Sequence, residues 1–235
     1  ACEAWHRVAT LDDAALEARI RGDAIDILVD LAGHTQGTRQ AVFERRPAPV
    51  QAGWIGYAST SGCAAMDWII ADAVGIPPDE EALYTERVLR LPGSYLCFTP
   101  PAFDVPRTPP PMLTRGHVTF GCFNNPAKLN PRVLRAWARI LAGLPDARLL
   151  LKARPFGEPA PAAAMRARFA AAGGDASRLD FEAHHPRRAY FARYCAVDMM
   201  LDPFPFPGAT TTAEAIHAGV PTITLKGRGG LMSHN

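Results

Sequence analysis

The chain has 235 residues, enough to bury a core and to form one or two domains. Its formal net charge is +2, which argues against a generic nucleic-acid binder, because such a protein presents a strongly basic surface. No apolar run approaches a membrane span in length and no secretory leader is visible, so neither nucleic acid nor membrane is expected as a partner.

All but three of the 25 basic residues are arginine, a bias ascribed to the organism's coding preference. It has one use: where lysine does occur, arginine was not used. The five cysteines (Cys2, Cys63, Cys97, Cys122 and Cys195) are scattered, with no CxxC pair and no zinc-ligand spacing. They suggest reduced thiols in a cytoplasmic protein without a bound metal. The chain starts without Met and stops abruptly at Leu231–Asn235, so it is taken for a fragment.

In chain order, residues 11–20 have helical spacing, and Asp26–Leu31 is short and apolar, as a buried strand is. The glycine-bracketed loop Ala32–Gly37 follows, and Gly37 or Thr38 is placed to cap a helix running through Arg46. Strands are expected over Pro49–Tyr57, Met66–Asp72 and Arg87–Pro92, with the small polar loop Ala58–Gly62 after the first of these. Thr99–Gly116 then carries six prolines in eighteen residues and no periodicity, which predicts a stiff linker without helix and a domain boundary. Beyond it, strands at 118–123, 148–152, 178–182, 197–202 and 222–225 alternate with helices at 131 onward, 160–172, 186–195 and 211–218. Asn130 before Pro131 is a helix start signal. Strict alternation predicts α/β lobes with parallel sheets and helices on both faces. Trp54, Trp68 and Trp137 are core candidates, and Asp67 and Asp72 read as turn caps.

The most informative stretch is Leu201–Pro221. It reads as a strand end, a proline-rich loop, a threonine-rich helix start and a second strand. The first turn of a helix offers backbone donors and a positive dipole end, so Thr210, Thr211 and Thr212 beside Gly208 suggest an anion site. The plain alternative is that the hydroxyls cap their own helix. Glu214 is either a favourable first-turn carboxylate or a contact to a polar group attached to that anion. The three lysines, Lys128, Lys152 and Lys226, fall at strand carboxyl ends or in the loops after them, the ligand side of such sheets. Lys128 is the one read as a phosphate contact, the other two as solvated. His34 is a general acid/base, a phosphate contact or an ordinary loop histidine. His184, His185 and His217 read as loop and packing residues. No DxD, GxSxG, GxxxxGK[ST] or GxGxxG occurs, which disfavours metal-held diphosphates, serine hydrolases, P-loop NTPases and dinucleotide enzymes.

Several strings resemble the catalytic region of SPINDLY-type protein O-GlcNAc transferases, GT-B glycosyltransferases of the GT41 kind. These are IDILVDLAGHTQGTR (25–39), RPAPVQAGWIGYASTSG (46–62), MDWIIAD (66–72), VTFGCFNNPAKLNP (118–131) and LDPFPFPGATTTAEAIHAGVPTIT (201–224). The resemblance implies two Rossmann-like lobes facing a cleft, both incomplete here. Residues 1–98 would be the C-terminal part of the N-terminal lobe, 99–116 the linker, and 117–235 the nucleotide-sugar lobe. It implies inverting, metal-independent transfer without a cofactor, from UDP-GlcNAc to Ser/Thr of an acceptor protein. Lys128 falls on the diphosphate lysine, Asn125 on the amide-bearing position before it, and Thr210 and Thr211, with Thr212 beside them, on the helix-start threonines. Glu214 falls on the ribose carboxylate, Arg187 on a basic residue near the nucleotide, and His34 in the first-lobe loop facing sugar and acceptor. Ala209 and Glu214 replace the His and Asp of animal-type relatives and look more like the plant branch, which implies GDP-fucose as the alternative donor. A degenerate, non-catalytic nucleotide-sugar-binding module is the alternative from another class. The TPR repeats expected to bind the acceptor, and a second histidine used near the reacting centre, would lie upstream, so the chain alone is expected to be inactive.

Overall fold

The structure is a computed structural model and describes residues 3–227. It divides into two compact units, one reaching to Cys97 and one running from Phe98 to Gly227.

In the first unit, helix α1 (Asp13–Gly22) is capped by Asp12, whose carboxylate accepts from the Ala15 N–H. Four parallel strands follow in sheet order β1 (Ile27–Asp30), β2 (Val50–Trp54), β3 (Trp68–Ala71) and β4 (Arg87–Arg90). Helix α2 (Gln40–Glu44) is shorter than its sequence suggests, and neither Gly37 nor Thr38 caps it. Arg39 stands at the cap position without a side-chain capping bond, its guanidinium donating instead to Asp13 and the Leu11 carbonyl. Strand β2 stops at Trp54 because Ile55 adopts φ +57°, outside the extended region. Trp54 and Trp68 are half-buried, not core. Trp68 lies under the Arg87 guanidinium and Trp54 donates from its indole to the Tyr95 carbonyl. Asp72 does cap a turn, accepting from the N–H groups of Val74 and Gly75.

The second unit opens with the proline-rich segment, which lies against the unit's own core. Phe98, Phe103 and Val105 pack on the cluster containing Phe191 and Tyr194. Arg107 donates to the His217 carbonyl, and the Met112 N–H to Asp198. Contrary to the expectation of a helix-free stretch, one helical turn forms, α3 (Met112–Arg115). Pro111 sits at its N-terminal boundary with helical φ, and Gly116 ends it at φ +74°.

Five parallel strands then alternate with helices: β5 (Thr119–Cys122), α4 (Pro131–Ala142), β6 (Arg148–Lys152), α5 (Pro159–Ala171), β7 (Leu179–Glu182), α6 (Arg187–Ala192), β8 (Met199–Leu201), α7 (Thr210–His217) and β9 (Thr222–Ile223). The expected helix 186–195 divides, with α6 giving way to a 3-10 turn at Arg193–Ala196. Alternate strand residues feed two cores. Phe120, Cys122, Leu149 and Leu151 meet Trp137, Leu141 and Phe169 of α4 and α5. Leu150 and Met200 meet Phe191, Tyr194 and Ala215 on the other face. Both faces are covered, which is why these strands read as continuous apolar runs.

Sheet order is β7-β6-β5-β8-β9. The chain leaves β5 outward to β6 and β7, then returns to lay β8 on the other side of β5. That reversal opens a crevice at the carboxyl ends of β5 and β8, where sheets of this topology place ligands. Phe169 is fully buried in the α4/α5 core, so Phe169→Ala should lower the unfolding free energy of the second unit by about 3–5 kcal/mol. Denaturant titration followed by circular dichroism measures it.

Candidate functional site

The crevice is organised by two buried polar residues, Asn124 after β5 and Asp202 after β8. The Asn124 amide donates to Asp202 Oδ1 at 3.3 Å, bridging the two strand ends. Asp202 also accepts from the Gly208 N–H at 2.8 Å and from the Thr224 hydroxyl at 3.0 Å, which fixes the loop between β8 and α7. Asn130 caps α4 with its oxygen and donates from its amide to the Phe204 carbonyl, tying the two crevice loops together.

Lys128 ends a 3-10 turn, Pro126–Lys128. Its ammonium donates to Asn124 Oδ1 at 3.1 Å and to the Pro207 carbonyl at 2.7 Å, and lies 4.6 Å from the centre of the Phe206 ring. Partial burial pushes its pKa down, and the neighbouring Asp202 carboxylate opposes that shift. The result is a half-buried cation held against the loop that leads into α7.

Helix α7 begins at Thr210 and has no side-chain cap; Ala209 occupies the cap position. The plain alternative, that the threonines cap their own helix, therefore fails. The Thr211 hydroxyl instead donates to Asn124 Oδ1 at 3.4 Å. Thr210 is exposed and Thr212 half-buried. Gly208 is required for this crowding, because a Cβ there would stand 2.9 Å from Thr212 Oγ1 and 3.1 Å from Asp202 Oδ1. A helix start whose cap residue supplies no oxygen, flanked by an ammonium and hydroxyls, is suited to an anion.

One turn further along, the Glu214 side chain is buried, only 4% exposed. One oxygen accepts from the Arg187 guanidinium, the other from the Tyr190 hydroxyl at 2.9 Å. Tyr190 and Tyr194 share a hydroxyl contact of 3.1 Å, and Tyr194 donates to the Thr211 carbonyl at 3.2 Å. Burial raises the pKa of both phenols, so both are protonated donors. Two adjacent tyrosines thus serve the carboxylate and the first turn of α7, one each.

Beside this lies a cavity of about 340 Å³ whose walls include Asn124, Asn125, Lys152, Arg154, His184 and Tyr190. Asn125 is exposed and its oxygen accepts from the Ala127 N–H, so it caps the turn that carries Lys128. Lys152, expected to be solvated, is buried at 2% exposure, while Lys226 is exposed.

In the first unit, His34 sits in the loop after β1, its ring edge-on to Tyr57. Its Nε2 lies 2.9 Å from the Ser61 carbonyl, so Nε2 donates there and Nδ1 is the nitrogen on the other side of the ring from that bond. The partner loop is held by buried Glu86, which accepts from the hydroxyls of Thr60 and Ser61 and from the Ser61 N–H. Burial raises the Glu86 pKa, but those hydrogen bonds outweigh it and keep the carboxyl below the usual range.

Of the residues marked in the sequence, Lys128, Thr210, Thr211 and Thr212 converge at the crevice, and Glu214 pairs with Arg187 one turn away. Asn125 borders the adjoining cavity, and His34 belongs to the other unit. Sequence reasoning missed Asn124, Asp202, Tyr190 and Tyr194. Asn124 and Asp202 stand inside noticed strings, directly after strands that the sheet order makes neighbours. The tyrosines carry no motif signal. Among the described residues no group of three or more His, Cys, Asp or Glu is placed to hold a metal ion, and no helix is long and apolar enough to cross a membrane.

Comparison with known proteins gives a consistent picture. The profile of glycosyl transferase family 41 matches residues 7–98 and 111–233. The chain is 38% identical to a Petunia hybrida protein described as a probable UDP-N-acetylglucosamine–peptide N-acetylglucosaminyltransferase SPINDLY, over 98% of this chain and 25% of that protein. It is 39% identical to the Arabidopsis thaliana protein of the same description, with the same coverage. It thus spans about a quarter of the curated relatives' length. A solved mutant of the Thermobaculum terrenum O-GlcNAc transferase superposes with a TM-score of 0.91 at 39% identity, over 98% of this chain and 44% of that one. The pneumococcal O-GlcNAc transferase GtfA, solved with UDP and GlcNAc, shares the fold at a TM-score of 0.53 and 13% identity.

Gly208→Ala should push Thr211 and Thr212 off the start of α7 and withdraw the Gly208 N–H from Asp202, lowering stability by about 1–3 kcal/mol. Thermal denaturation checks the loss.

Proposed function

Because the chain belongs to glycosyl transferase family 41, we propose that it forms part of the catalytic region of an inverting, metal-independent glycosyltransferase moving GlcNAc from UDP-GlcNAc to Ser or Thr hydroxyls of proteins. The observation that carries this is the crevice itself. An ammonium and the side-chain-uncapped start of α7 meet there at the reversal of a parallel sheet. In this reading the diphosphate lies on Lys128 and the first turn of α7, with Thr210, Thr211 and Thr212 around it, and Asn125 and Arg187 flank the nucleotide. Glu214 takes the ribose hydroxyls. To do so it exchanges one present partner, and the exposed Arg187 is the one free to leave, since Tyr190 is packed inside the unit.

The chemistry asked of these groups is leaving-group stabilisation. The acceptor oxygen bonds to the anomeric carbon as the bond to the diphosphate oxygen breaks, and the electron pair goes to the diphosphate. A cation and oriented backbone dipoles held in place beforehand meet that charge without reorganising. His34, through its Nδ1, is the first-unit candidate to take the acceptor's proton. TPR repeats outside this chain would hold the acceptor protein, and the cytoplasm is the expected location.

A second reading, transfer of fucose from GDP-fucose, is favoured by Ala209 and Glu214 at the start of α7. Titrating UDP and GDP against the complete protein separates the two. The true donor's nucleotide at a hundred times its Kd should stabilise the fold by about 2.7 kcal/mol, and the other by far less. Stabilisation by neither leaves no donor reading standing.

Lys128→Ala should abolish turnover while costing little stability, measured by glycosyl transfer and thermal unfolding in the complete protein; undiminished transfer contradicts the role. Affinity for the nucleotide diphosphate should be level at neutral pH and fall as Lys128 loses its proton. That fall starts below the ordinary lysine value of 10.5, because burial depresses this pKa. Lys128→Ala removes that fall, and calorimetry across pH reads both.

A further inference from the structure

Lys152 is the last residue of β6, and its side chain forms part of the cavity wall beside the crevice. Its ammonium donates to the Ala183 carbonyl and to His185 Nδ1, and lies 3.5 Å from the Glu182 carboxylate. Glu182 is held in turn by Nε and Nη2 on one edge of the Arg193 guanidinium, one to each carboxylate oxygen. The last residues of β6 and β7, Lys152 and Glu182, are register partners. All three contacts therefore bear on the end of β7 and the loop after it, Ala183–Pro186. That loop leads straight into α6, which carries Arg187 and Tyr190, the two partners of Glu214.

A buried ammonium is costly unless each of its protons is used. Here the protons are used only while the loop stays where it is, so moving the loop strands a cation in the protein interior. The chemistry also explains the residue type. Three donors spread tetrahedrally from one nitrogen reach a carbonyl, a ring nitrogen and a carboxylate lying in different directions, which a planar guanidinium fork does not. In a chain where all but three basic residues are arginine, lysine was retained here.

We infer that Lys152 is a positioning residue for the donor: it fixes the Ala183–Pro186 loop and, through it, Arg187 and Tyr190, the partners of Glu214. This rests on the donor reading above. It has a second consequence. A charged Lys152 can only donate to His185 Nδ1, so His185 carries its proton on Nε2. Without Lys152, Nδ1 is free to take the proton and donate to the Ala183 carbonyl, 3.1 Å away. Burial lowers the Lys152 pKa and Glu182 opposes the shift, in keeping with a cation that depends on its partners.

The test uses the complete protein with UDP and GDP as probes. Lys152→Met keeps the side-chain volume and removes the donors. It should weaken whichever nucleotide the wild type binds by about tenfold, the size of a lost charged hydrogen bond. The donor KM should rise by a similar factor with kcat nearly unchanged. Nitrogen-15 spectra of His185 should show an unprotonated Nδ1 in the wild type and a protonated Nδ1 in the variant. His185→Ala should weaken the nucleotide several-fold, and the double variant no more than Lys152→Met alone. Unchanged affinity in Lys152→Met, with or without a lower melting temperature, overturns the inference while leaving the donor reading intact. Should Lys152→Met not fold, unchanged affinity in His185→Ala overturns it equally. A wild type that binds neither nucleotide overturns the donor reading and the inference with it.

Discussion

The second unit depends on one contact, the Asn124 amide against the Asp202 carboxylate. It joins the residues that follow two neighbouring strands, β5 and β8, whose outgoing loops diverge where the sheet reverses its order. Everything that gives the crevice its character then hangs from these two side chains. Asn124 holds Lys128 and Thr211, and Asp202 holds Gly208 and Thr224. A carboxylate buried at 4% exposure would be unfavourable alone. Here it accepts from backbone, amide and hydroxyl, and stands near enough to Lys128 to support its charge. The ammonium and the carboxylate offset one another, and the cation is fixed in position by the Pro207 carbonyl.

A second network works on the same helix from behind. Tyr190 donates to Glu214, and Tyr194 beside it donates to the Thr211 carbonyl, in the first turn of α7. That turn is thus braced from both sides, by Asn124 at the Thr211 hydroxyl and by Tyr194 at its carbonyl. Lys152 extends the bracing to the loop before α6. The logic is that of a preorganised site: side chains that would meet the ligand are held by others that do not. The first unit repeats it on a smaller scale, where Glu86 orders the loop whose Ser61 carbonyl accepts from His34.

Much of the fold was legible in the sequence, because each strand of the second unit is a short apolar run that two covered sheet faces require. Asn130 with Pro131 marked the start of α4 correctly, since cap chemistry is local. The misses had non-local causes. Trp54 and Trp68 look like core by composition, yet they are only half-buried. The threonines of α7 look like caps, yet Asn124, 87 residues away in the chain, takes the Thr211 hydroxyl instead. Lys152 reads as solvated because lysines usually are, and only the pairing of β6 with β7 reveals its partners. Asn124 and Asp202 could have been found by asking which residues directly follow the strands on either side of a sheet reversal. Tyr190 and Tyr194 could not, for their role depends on how α6 packs against α7.

The most direct test is a structure of the complete protein with its nucleotide-sugar donor bound. The diphosphate is expected within hydrogen-bond distance of Lys128 Nζ and of backbone N–H groups in the first turn of α7, with the ribose hydroxyls on Glu214 and the base towards Tyr190. A diphosphate seated elsewhere, with Lys128 still on the Pro207 carbonyl and α7 unengaged, would contradict the account.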